Sequence, residues 1–244
     1  KRLPATRKLR RRAANWKLPL RWNAQAAREE RRYRVFCASL ADVFDNQVPP
    51  EWREDLFELI RVTPHLDWLL LTKRPQNIVR MVREQGSIAG NGTRYLPDNV
   101  ALGATVEDQT RADQNVPVLL RTRGELGARV LFLSIEPMLG PIRLATKSLG
   151  WKCCVTGAHV KAAMVCGDCD PCIGAIGVPM IDWVICGGES GPQARPMHPD
   201  WARSLRDQCA AAGVAFHLKQ ITERGRPVPM EQWPADLRIQ EFPA

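Results

Sequence analysis

Polar side chains follow each of six short apolar runs in this sequence, and their types are suited to moving protons and binding charged ligands. Three of them are the glutamates Glu107, Glu136 and Glu189, and Lys73 and Lys219 follow other runs. If they converge on one mouth, such carboxylates and ammonium groups can hold a zwitterion or a phosphate and transfer protons. The candidate catalytic residues are Glu136, Glu189 and Lys73. The candidate ligand-binding residues are Ser39, Asp42, Asp45, Thr72, Arg74, Thr105, Glu107, Ser134, Gly187, Gly188, Ser190, Lys219 and Gln220.

Local sequence patterns restrict the backbone at several of these positions. Pro137 follows Glu136, and a proline disfavours helical geometry at the residue before it, so Glu136 is predicted to continue the direction of its strand. The pair Gly187 and Gly188 permits close approach of a ligand to the backbone and offers N–H groups to an anion. The alternative interpretation is that the polar residues are ordinary loop charges that pair with one another.

Five of the eight cysteines are concentrated between residues 153 and 172. Three of them form a C-x-x-C-x-x-C run, whose two-residue spacing lets consecutive thiolates face one metal ion, and an upstream pair or a histidine can complete the site. Zinc as a structural staple fits a loop inserted away from the strand ends, although an iron–sulfur cluster and a metal-free loop of reduced cysteines are alternatives. The candidate metal ligands are Cys153, Cys154, Cys166, Cys169 and Cys172, with His159 as the histidine.

The six apolar runs are rich in β-forming residues and recur at a nearly constant interval. Four of their centres, Cys37, Leu69, Leu102 and Phe132, lie 32, 33 and 30 residues apart. An eight-unit βα barrel of about 250 residues has about 31 residues per unit. The cysteine-rich stretch fills the one long interval and is therefore predicted to be an insertion. The predicted strands are residues 34–39, 67–72, 100–106, 129–135, 181–186 and 214–219.

Helical patterns lie between these runs, and alternating strands and helices indicate a parallel sheet. Residues 49–62, 75–86 and 198–213 have apolar side chains at a helical period or the proline and glycine that punctuate helix ends. The pattern at residues 108–122 is interrupted by Pro117, which weakens the prediction of a helix there.

The polar residues at the ends of all six apolar runs favour a barrel over an open, doubly wound sheet. Open sheets place their ligand at one switch point, whereas barrel enzymes draw residues from the ends of many strands. We therefore predict an α/β fold, a TIM-barrel-like partial βα barrel with six visible βα units. A basic arm at residues 1–32 is expected to precede the barrel-like domain at residues 33–244, with its cysteine-rich insertion at about residues 150–180.

Composition limits the function classes. The 244 residues are 45% apolar, which suffices for one large core. The net charge of +9 is concentrated at the N-terminus, since residues 1–34 contain 13 Lys or Arg against two acids. Such an arm can bind nucleic acid or a partner protein, although a merely solvated arm is the alternative. The apolar runs are far shorter than the roughly 18 residues of a membrane span, and no signal peptide is visible, so we expect a soluble cytoplasmic protein without a membrane partner.

Seven sequence blocks resemble a family associated with bacteriophages and prophages and described only as a domain of unknown function. Its members are similar to radical S-adenosylmethionine enzymes, and the resemblance implies a barrel-like core preceded by a three-cysteine motif. In radical enzymes such a motif binds a [4Fe-4S] cluster that chelates S-adenosylmethionine. The blocks are "VFCASLADVFD", "LLLTKRP", "VALGATVEDQ", "FLSIEPMLGPI", "DWVICGGESG", "RPMHPDWARSLRDQC" and "FHLKQ".

This chain has no cysteine before Cys37, so the cluster and S-adenosylmethionine are expected only if cysteines lie upstream of Lys1. The leading hypothesis is a radical-SAM-like barrel that binds a small charged cofactor or nucleotide and acts on nucleic acid. In it, Lys73 and Arg74 hold an anionic group, while Glu136 and Glu189 bind an amine or ribose hydroxyls. The alternatives are a carboxylate-dependent barrel hydrolase and a non-catalytic nucleic-acid or protein adaptor.

Overall fold

The structure is a computed structural model that describes residues 16–37, 41–86, 95–144, 180–223 and 225–243, together with the backbone of residues 151–152 and 159–160. The strands are β1 (Tyr33–Cys37), β2 (Leu66–Thr72), β3 (Val100–Thr105), β4 (Val130–Ile135), β5 (Trp151–Lys152), β6 (His159–Val160), β7 (Trp183–Gly187), β8 (Ala215–Glu223) and β9 (Arg226–Val228). The helices are α1 (Leu18–Arg28), α2 (Pro50–Arg61), α3 (Ile78–Arg83), α4 (Gln109–Leu126) and α5 (Pro199–Ala212).

Seven strands form one sheet in the order β1-β2-β3-β4-β7-β8-β9, and β5 pairs with β6 separately. Neighbours from β1 to β8 are parallel, and only β9 runs antiparallel. A doubly wound sheet would reverse its order at a switch point, and this sheet does not. The fold is therefore a mixed α/β half-barrel with a curled sheet, in agreement with the predicted partial barrel and its six parallel strands.

Alternation along each strand gives the sheet an outer and an inner face. Residues such as Leu70, Leu133 and Val184 point outward and share the main core with the helices. Crossovers of one hand between sequential parallel strands place the helices on a single face, which explains this arrangement. The inner face has a smaller cluster of its own, formed by Leu69, Phe132, Trp183 and Ile185.

The predicted helices at residues 49–62 and 198–213 are confirmed as α2 and α5. Helix α5 begins after His198, whose side chain accepts a hydrogen bond from the Asp200 amide. It ends at Gly213, which has a φ of 66° that a glycine adopts without strain. The predicted helix at residues 75–86 is shorter, with a 3₁₀ turn at Pro75–Asn77 followed by α3.

Helix α4 corrects the expectation that Pro117 interrupts a helix. It runs without a break through 18 residues that include Pro117. Asp108 caps its first turn by accepting from the Arg111 amide at 2.8 Å, and Gly127 ends it with a φ of 73°. Val116 and Leu119 are buried against the sheet, so burial of this apolar face outweighs the one backbone bond that proline removes.

The C-terminal segment, residues 239–242, brings the two ends of the curled sheet together. It pairs with β8 through the Leu218 amide, which donates to the Ile239 carbonyl at 2.8 Å, and an antiparallel bridge follows at Gln240. The Phe242 ring packs against Trp183 at 5.4 Å between centroids, and the guanidinium of Arg34 in β1 lies 4.0 Å from the centroid of the same ring. β1 and the β8 side of the sheet therefore meet through side chains.

Candidate ligand-binding site at the strand ends

Two lysine–glutamate pairs stand at the carboxyl ends of the inner face. We call Lys73, Glu107, Glu136 and Lys219 the rim. The ammonium group of Lys73, after β2, lies 2.5 Å from Glu107 Oε1, after β3. The ammonium group of Lys219, in β8, lies 3.2 Å from Glu136 Oε1, after β4. The structure thus brings together four residues that the sequence placed at separate strand ends, and it pairs them with one another.

Gly187 allows the second pair to form. β7 lies between β4 and β8, so the Glu136 side chain must pass over β7 to reach Lys219. A Cβ atom on Gly187 would lie 2.7 Å from Glu136 Oε1, so a larger residue would displace the carboxylate from this position. Ser134 also donates from its hydroxyl to Glu136 Oε2 at 3.2 Å. The peptide between Glu136 and Pro137 is cis. Gly187 therefore leaves the space in which the Glu136 side chain crosses β7 to Lys219.

A β-bulge places Lys219 on the rim. Cys186 pairs with Leu218 and Gly187 pairs with Gln220, which leaves Lys219 as the extra residue of β8. Bulges often redirect a side chain next to a functional site. The side-chain Nε2 of Gln220 donates to the Gly188 carbonyl at 2.6 Å, so this predicted ligand residue stabilises the chain after β7.

Gly188 is required for close packing of the segment after β7 against β8. A Cβ atom there would lie 2.5 Å from Thr222 Oγ1 and 2.9 Å from the Thr222 backbone nitrogen. The Thr222 hydroxyl donates to the Glu189 carbonyl at 2.6 Å. The Gly188 N–H donates to the Gln220 carbonyl at 3.0 Å, so it does not form part of an anion-binding nest. The close approaches at the two glycines are to other residues of the protein, Glu136 at Gly187 and Thr222 at Gly188.

Glu189 is held by Arg195 in a two-pronged pair. The guanidinium donates to its two carboxylate oxygens at 2.7 and 2.8 Å, and the Arg195 amide adds a bond of 2.9 Å. These hydrogen bonds lower the pKa of Glu189 to about 2. The hydrogen bonds to Glu189 raise the pKa of Arg195 and the Glu107 charge adds to this effect, so the arginine lies in the field of the rim. Glu189 remains ionised at neutral pH and is unsuited to donating a proton.

Arg195 was missed by the sequence analysis. The sequence feature that could have indicated Arg195 is the Arg-Pro dipeptide that it forms with Pro196, which also occurs at Arg74 and Pro75. No spacing rule relates Arg195 to Glu189, because the pair closes a loop of irregular backbone.

Asp42, Asp45, Thr72 and Arg74 form a second cluster, which is linked to the rim through the Lys73 backbone N–H that donates to Asp42 Oδ2 at 3.1 Å. Thr72 points to the outer face, and its hydroxyl donates to Asp42 Oδ1 at 2.7 Å. The Arg74 guanidinium donates to Asp42 Oδ2 at 3.0 Å and lies 3.8 Å from Asp45. The cluster ties the segment before α2 to the end of β2. Arg74, expected to hold a ligand anion with Lys73, is instead placed against two carboxylates of the protein.

The other predicted site residues differ in their placement. Thr105 and Ser134 lie at paired positions of β3 and β4, buried on the inner face below the rim. Ser190 is exposed beyond the end of β7. Ser39 and the five cysteines of the insertion, Cys153, Cys154, Cys166, Cys169 and Cys172, lie outside the described residues.

Aromatic rings cover the inner face below the rim. We call Phe36, Phe132, Trp183, His217 and Phe242 the aromatic floor. Phe36 contacts Phe132, Phe132 contacts Trp183, and Trp183 contacts both His217 and Phe242, which also contact each other. The centroids of these ring pairs lie 5.2 to 6.2 Å apart. Phe132 lies against Gly103, where a Cβ atom would come within 2.2 Å of the ring. Phe36 and Phe242 are 40% and 45% exposed. Burial lowers the pKa of His217.

The described cysteines do not fit an iron–sulfur cluster or a zinc site. Cys186 and Cys209 are buried in the main core and Cys37 packs against it. Burial raises the pKa of Cys37 to about 12 and that of Cys209 to about 12, so both thiols stay protonated. Within the described ranges, no group of three or more His, Cys, Asp or Glu residues is arranged to hold a metal ion.

These features define a half-barrel α/β protein with a charged rim above an aromatic inner face. The chain belongs to a family of proteins of unknown function (DUF5131), whose family profile matches residues 2–232. No curated protein and no solved structure matches it. Among the helices that the structure describes, none combines the length and apolar character needed to cross a bilayer.

Proposed function

We propose that the rim binds a small ligand that carries an anionic group together with an amine or hydroxyl groups, such as a charged cofactor or a nucleotide. The supporting observation is the placement of two lysine–glutamate pairs on one face, at the strand ends where barrel proteins bind their ligands. Lys73 and Lys219 receive the anion, and Glu107 and Glu136 accept from the amine or the hydroxyls.

The solvent exposure of the four rim side chains favours replacement of their ion pairs by contacts with a ligand. The Glu107 and Glu136 side chains are 25% and 15% exposed, whereas Lys73 and Lys219 are 66% and 58% exposed. The carboxylates are therefore largely shielded from solvent, and the exposed lysines can turn toward a ligand. An exposed ion pair contributes only up to about 1 kcal/mol, so a ligand anion can compete for the ammonium group.

Calorimetric titration with S-adenosylmethionine and with ribose 5-phosphate tests this proposal. We expect Lys73→Gln and Lys219→Gln each to weaken binding of at least one of the two probes by about tenfold, the effect of losing one charge-assisted bond of about 1.4 kcal/mol. The control is Arg61→Gln, which removes an exposed pair with Glu58 outside the rim and should leave the affinity unchanged. Binding that neither lysine variant weakens, or no binding of either probe, contradicts the proposal.

A carboxylate-pair hydrolase is less well supported. Such enzymes need one carboxyl group that keeps its proton near neutral pH. Here Glu107 and Glu136 are ion-paired with lysines, and Arg195 keeps the Glu189 carboxyl ionised. The absence of hydrolysis of aryl glycosides by the purified protein is the expected result.

The resemblance to radical S-adenosylmethionine enzymes and to phage-associated proteins adds a finer proposal. The half-barrel is compatible with it, but none of the cysteines in the described segments can hold the cluster, so no radical step is assigned to them. The proposal requires cysteines that precede Lys1. Anaerobic reconstitution of a longer reading frame with iron and sulfide should then give an iron–sulfur absorption spectrum and cleavage of S-adenosylmethionine, and a reading frame without such cysteines rules it out.

A further inference from the structure

The aromatic floor lies on the same inner face as the rim and below it. Phe132 and Ser134 of β4 and Glu136 just after it lie on one face, so Phe132 of the floor and Glu136 of the rim are four residues apart. At about 3.3 Å per residue the separation is about 13 Å, which is close to the length of a mononucleotide. A single small ligand can therefore contact both.

The exposed surface of the floor is aromatic. Phe36 contacts Phe132 edge to face at an interplanar angle of 63°, so much of its own ring is left open. Phe242 is the other exposed ring, at the opposite side of the curled sheet. Flat π-surfaces of this kind stack on nucleobases without regard to their identity.

Two nitrogen-bearing side chains, Arg34 beside the floor and His217 within it, distinguish a heterocycle from a plain apolar ring. The Arg34 guanidinium stacks over Phe242, and within the described part of the chain this ring is the one direct contact found for it. His217 Nδ1 is buried and has no hydrogen-bond partner among the described residues. A stacked guanidinium keeps its in-plane donors available, and the edges of nucleobases carry oxygen and nitrogen acceptors. A hydrocarbon ring would leave these donors unused.

We propose that the aromatic floor binds the base of a free mononucleotide whose phosphate and ribose are held by the rim. This inference rests on the proposed function of the rim and adds the class of ligand. The base stacks on Phe36 and Phe242, Arg34 donates to its edge, and Lys73 and Lys219 receive the phosphate.

The test compares the four ribonucleoside 5′-monophosphates with ribose 5-phosphate by calorimetric titration. At least one mononucleotide should bind at least fivefold more tightly than ribose 5-phosphate, which is about 1 kcal/mol from stacking. Phe36→Leu and Phe242→Leu keep an apolar side chain and should remove this advantage. Arg34→Lys keeps the charge but loses the planar fork, and should weaken mononucleotides without weakening ribose 5-phosphate. Val62→Ala, at an exposed apolar residue beyond α2, is the matched control.

The outcomes separate the two proposals. Equal binding of mononucleotides and ribose 5-phosphate, unaffected by the phenylalanine variants, overturns the base site and leaves the rim proposal standing. Loss of phosphate-dependent affinity in Lys219→Gln with a retained preference for the base supports both the rim and the base site. If no mononucleotide binds, or if light scattering shows a dimer that Phe36→Leu dissociates, the floor is not a base site. Circular dichroism of each variant confirms that the fold is intact.

Discussion

At the residue scale, the two glycines after β7 have different physical roles although they are adjacent. A Cβ atom on Gly187 would meet the end of the flexible Glu136 side chain, whereas one on Gly188 would meet the backbone of Thr222. A side-chain end can move at small cost, but a backbone atom in a paired strand cannot. The sequence showed only a glycine pair and could not separate these roles, because they depend on what lies across from each glycine.

Gly187→Ala and Gly188→Ala are therefore expected to affect different properties. Gly187→Ala displaces the Glu136 carboxylate, so it should weaken ligand binding at the rim and reduce the free energy of unfolding by less than about 1 kcal/mol. Gly188→Ala should reduce that free energy by about 1–3 kcal/mol. Urea unfolding and calorimetric titration measure the two effects. Gly140→Ala is the control, because nothing lies within 4 Å of its added Cβ atom. Equal stabilities of the Gly187 and Gly188 variants would contradict the distinction.

The Glu189–Arg195 pair predicts a change in pH dependence. Arg195 holds the pKa of Glu189 at about 2, below its ordinary value of 4.5. Between these values the unfolded chain binds more protons than the folded one, so the contribution of the pair is complete above pH 4.5 and is lost as the pH falls toward 2. In Arg195→Gln the pKa should return toward 4.5, and this part of the acid destabilisation should disappear. Carbon-13 NMR titration of the Glu189 carboxyl group provides the measurement, and an unchanged pKa would show that the pair does not form.

At the scale of elements, the strands were the most predictable part of the fold. Each apolar run became a strand. The central strands β2, β3, β4 and β7 are buried almost throughout, which requires continuous apolar sequence, whereas β1 and β8 are only partly buried. The C-terminal pairing of residues 239–242 could not be predicted, since four residues carry no period and depend on the open edge of β8. Alternation along β2 assigns Thr72 to the outer face, with the Asp42 cluster, and Lys73 to the inner face, with the rim. This assignment requires the strand bounds, which the structure provides.

Helix α4 provides a prediction about the cost of Pro117. This proline is exposed and lies inside the helix, where it lacks the amide that would bond to the Asp113 carbonyl. Pro117→Ala should therefore increase the free energy of unfolding by about 1–3 kcal/mol, because alanine restores the bond and buries no less surface. Denaturant unfolding measures the change, with Gln114→Ala, another exposed position of the same helix, as the control. A less stable Pro117→Ala protein would show that the local helix geometry depends on the proline.

The cysteine-rich insertion is expected to bind zinc without supporting the half-barrel. The chain entering it is fixed by Gln208 of α5, which accepts from the Leu144 amide at 2.8 Å and donates to the Ile142 carbonyl at 2.9 Å. The chain leaving it is fixed by Arg123 of α4, which donates to the Met180 carbonyl at 2.9 Å and pairs with Asp182. Both ends are thus held by domain contacts.

Metal analysis of the purified protein should find about one zinc per chain, and Cys169→Ser should lower this amount. Unfolding of the half-barrel, followed by tryptophan fluorescence, should change by less than about 1 kcal/mol because the anchors at Gln208 and Arg123 are independent of the metal. Cys209→Ser, in the main core, is the control that should lower stability without lowering the zinc content. Protein without zinc, or with an iron–sulfur absorption band, would exclude the zinc site.

At the scale of the whole molecule, the net positive charge is concentrated in the N-terminal region, whereas the remainder of the chain, which carries the rim, is nearly neutral. Residues 1–34 contain 13 of the 35 basic residues, while the rest of the chain is nearly neutral. Helix α1, within this basic region, docks on the domain, since Asn23 Oδ1 accepts from the His65 amide at 2.8 Å and Ala26 is buried. Docking fixes where the basic region joins the half-barrel, and composition alone could not show it.

We therefore expect the basic N-terminal region to bind nucleic acid through phosphate contacts, independently of the rim. Each phosphate neutralised contributes about −0.9 to the slope of log K against log salt concentration for duplex DNA. Replacing Arg10, Arg11 and Arg12 with glutamine should make that slope shallower by about 2–3, measured by fluorescence anisotropy with a labelled duplex. The control replaces Arg61, Arg80 and Arg83, which are paired with acids on the domain surface. Because the control removes the same charge from the whole molecule, an equal change in slope would mean that net charge, and not the position of the arm, determines binding.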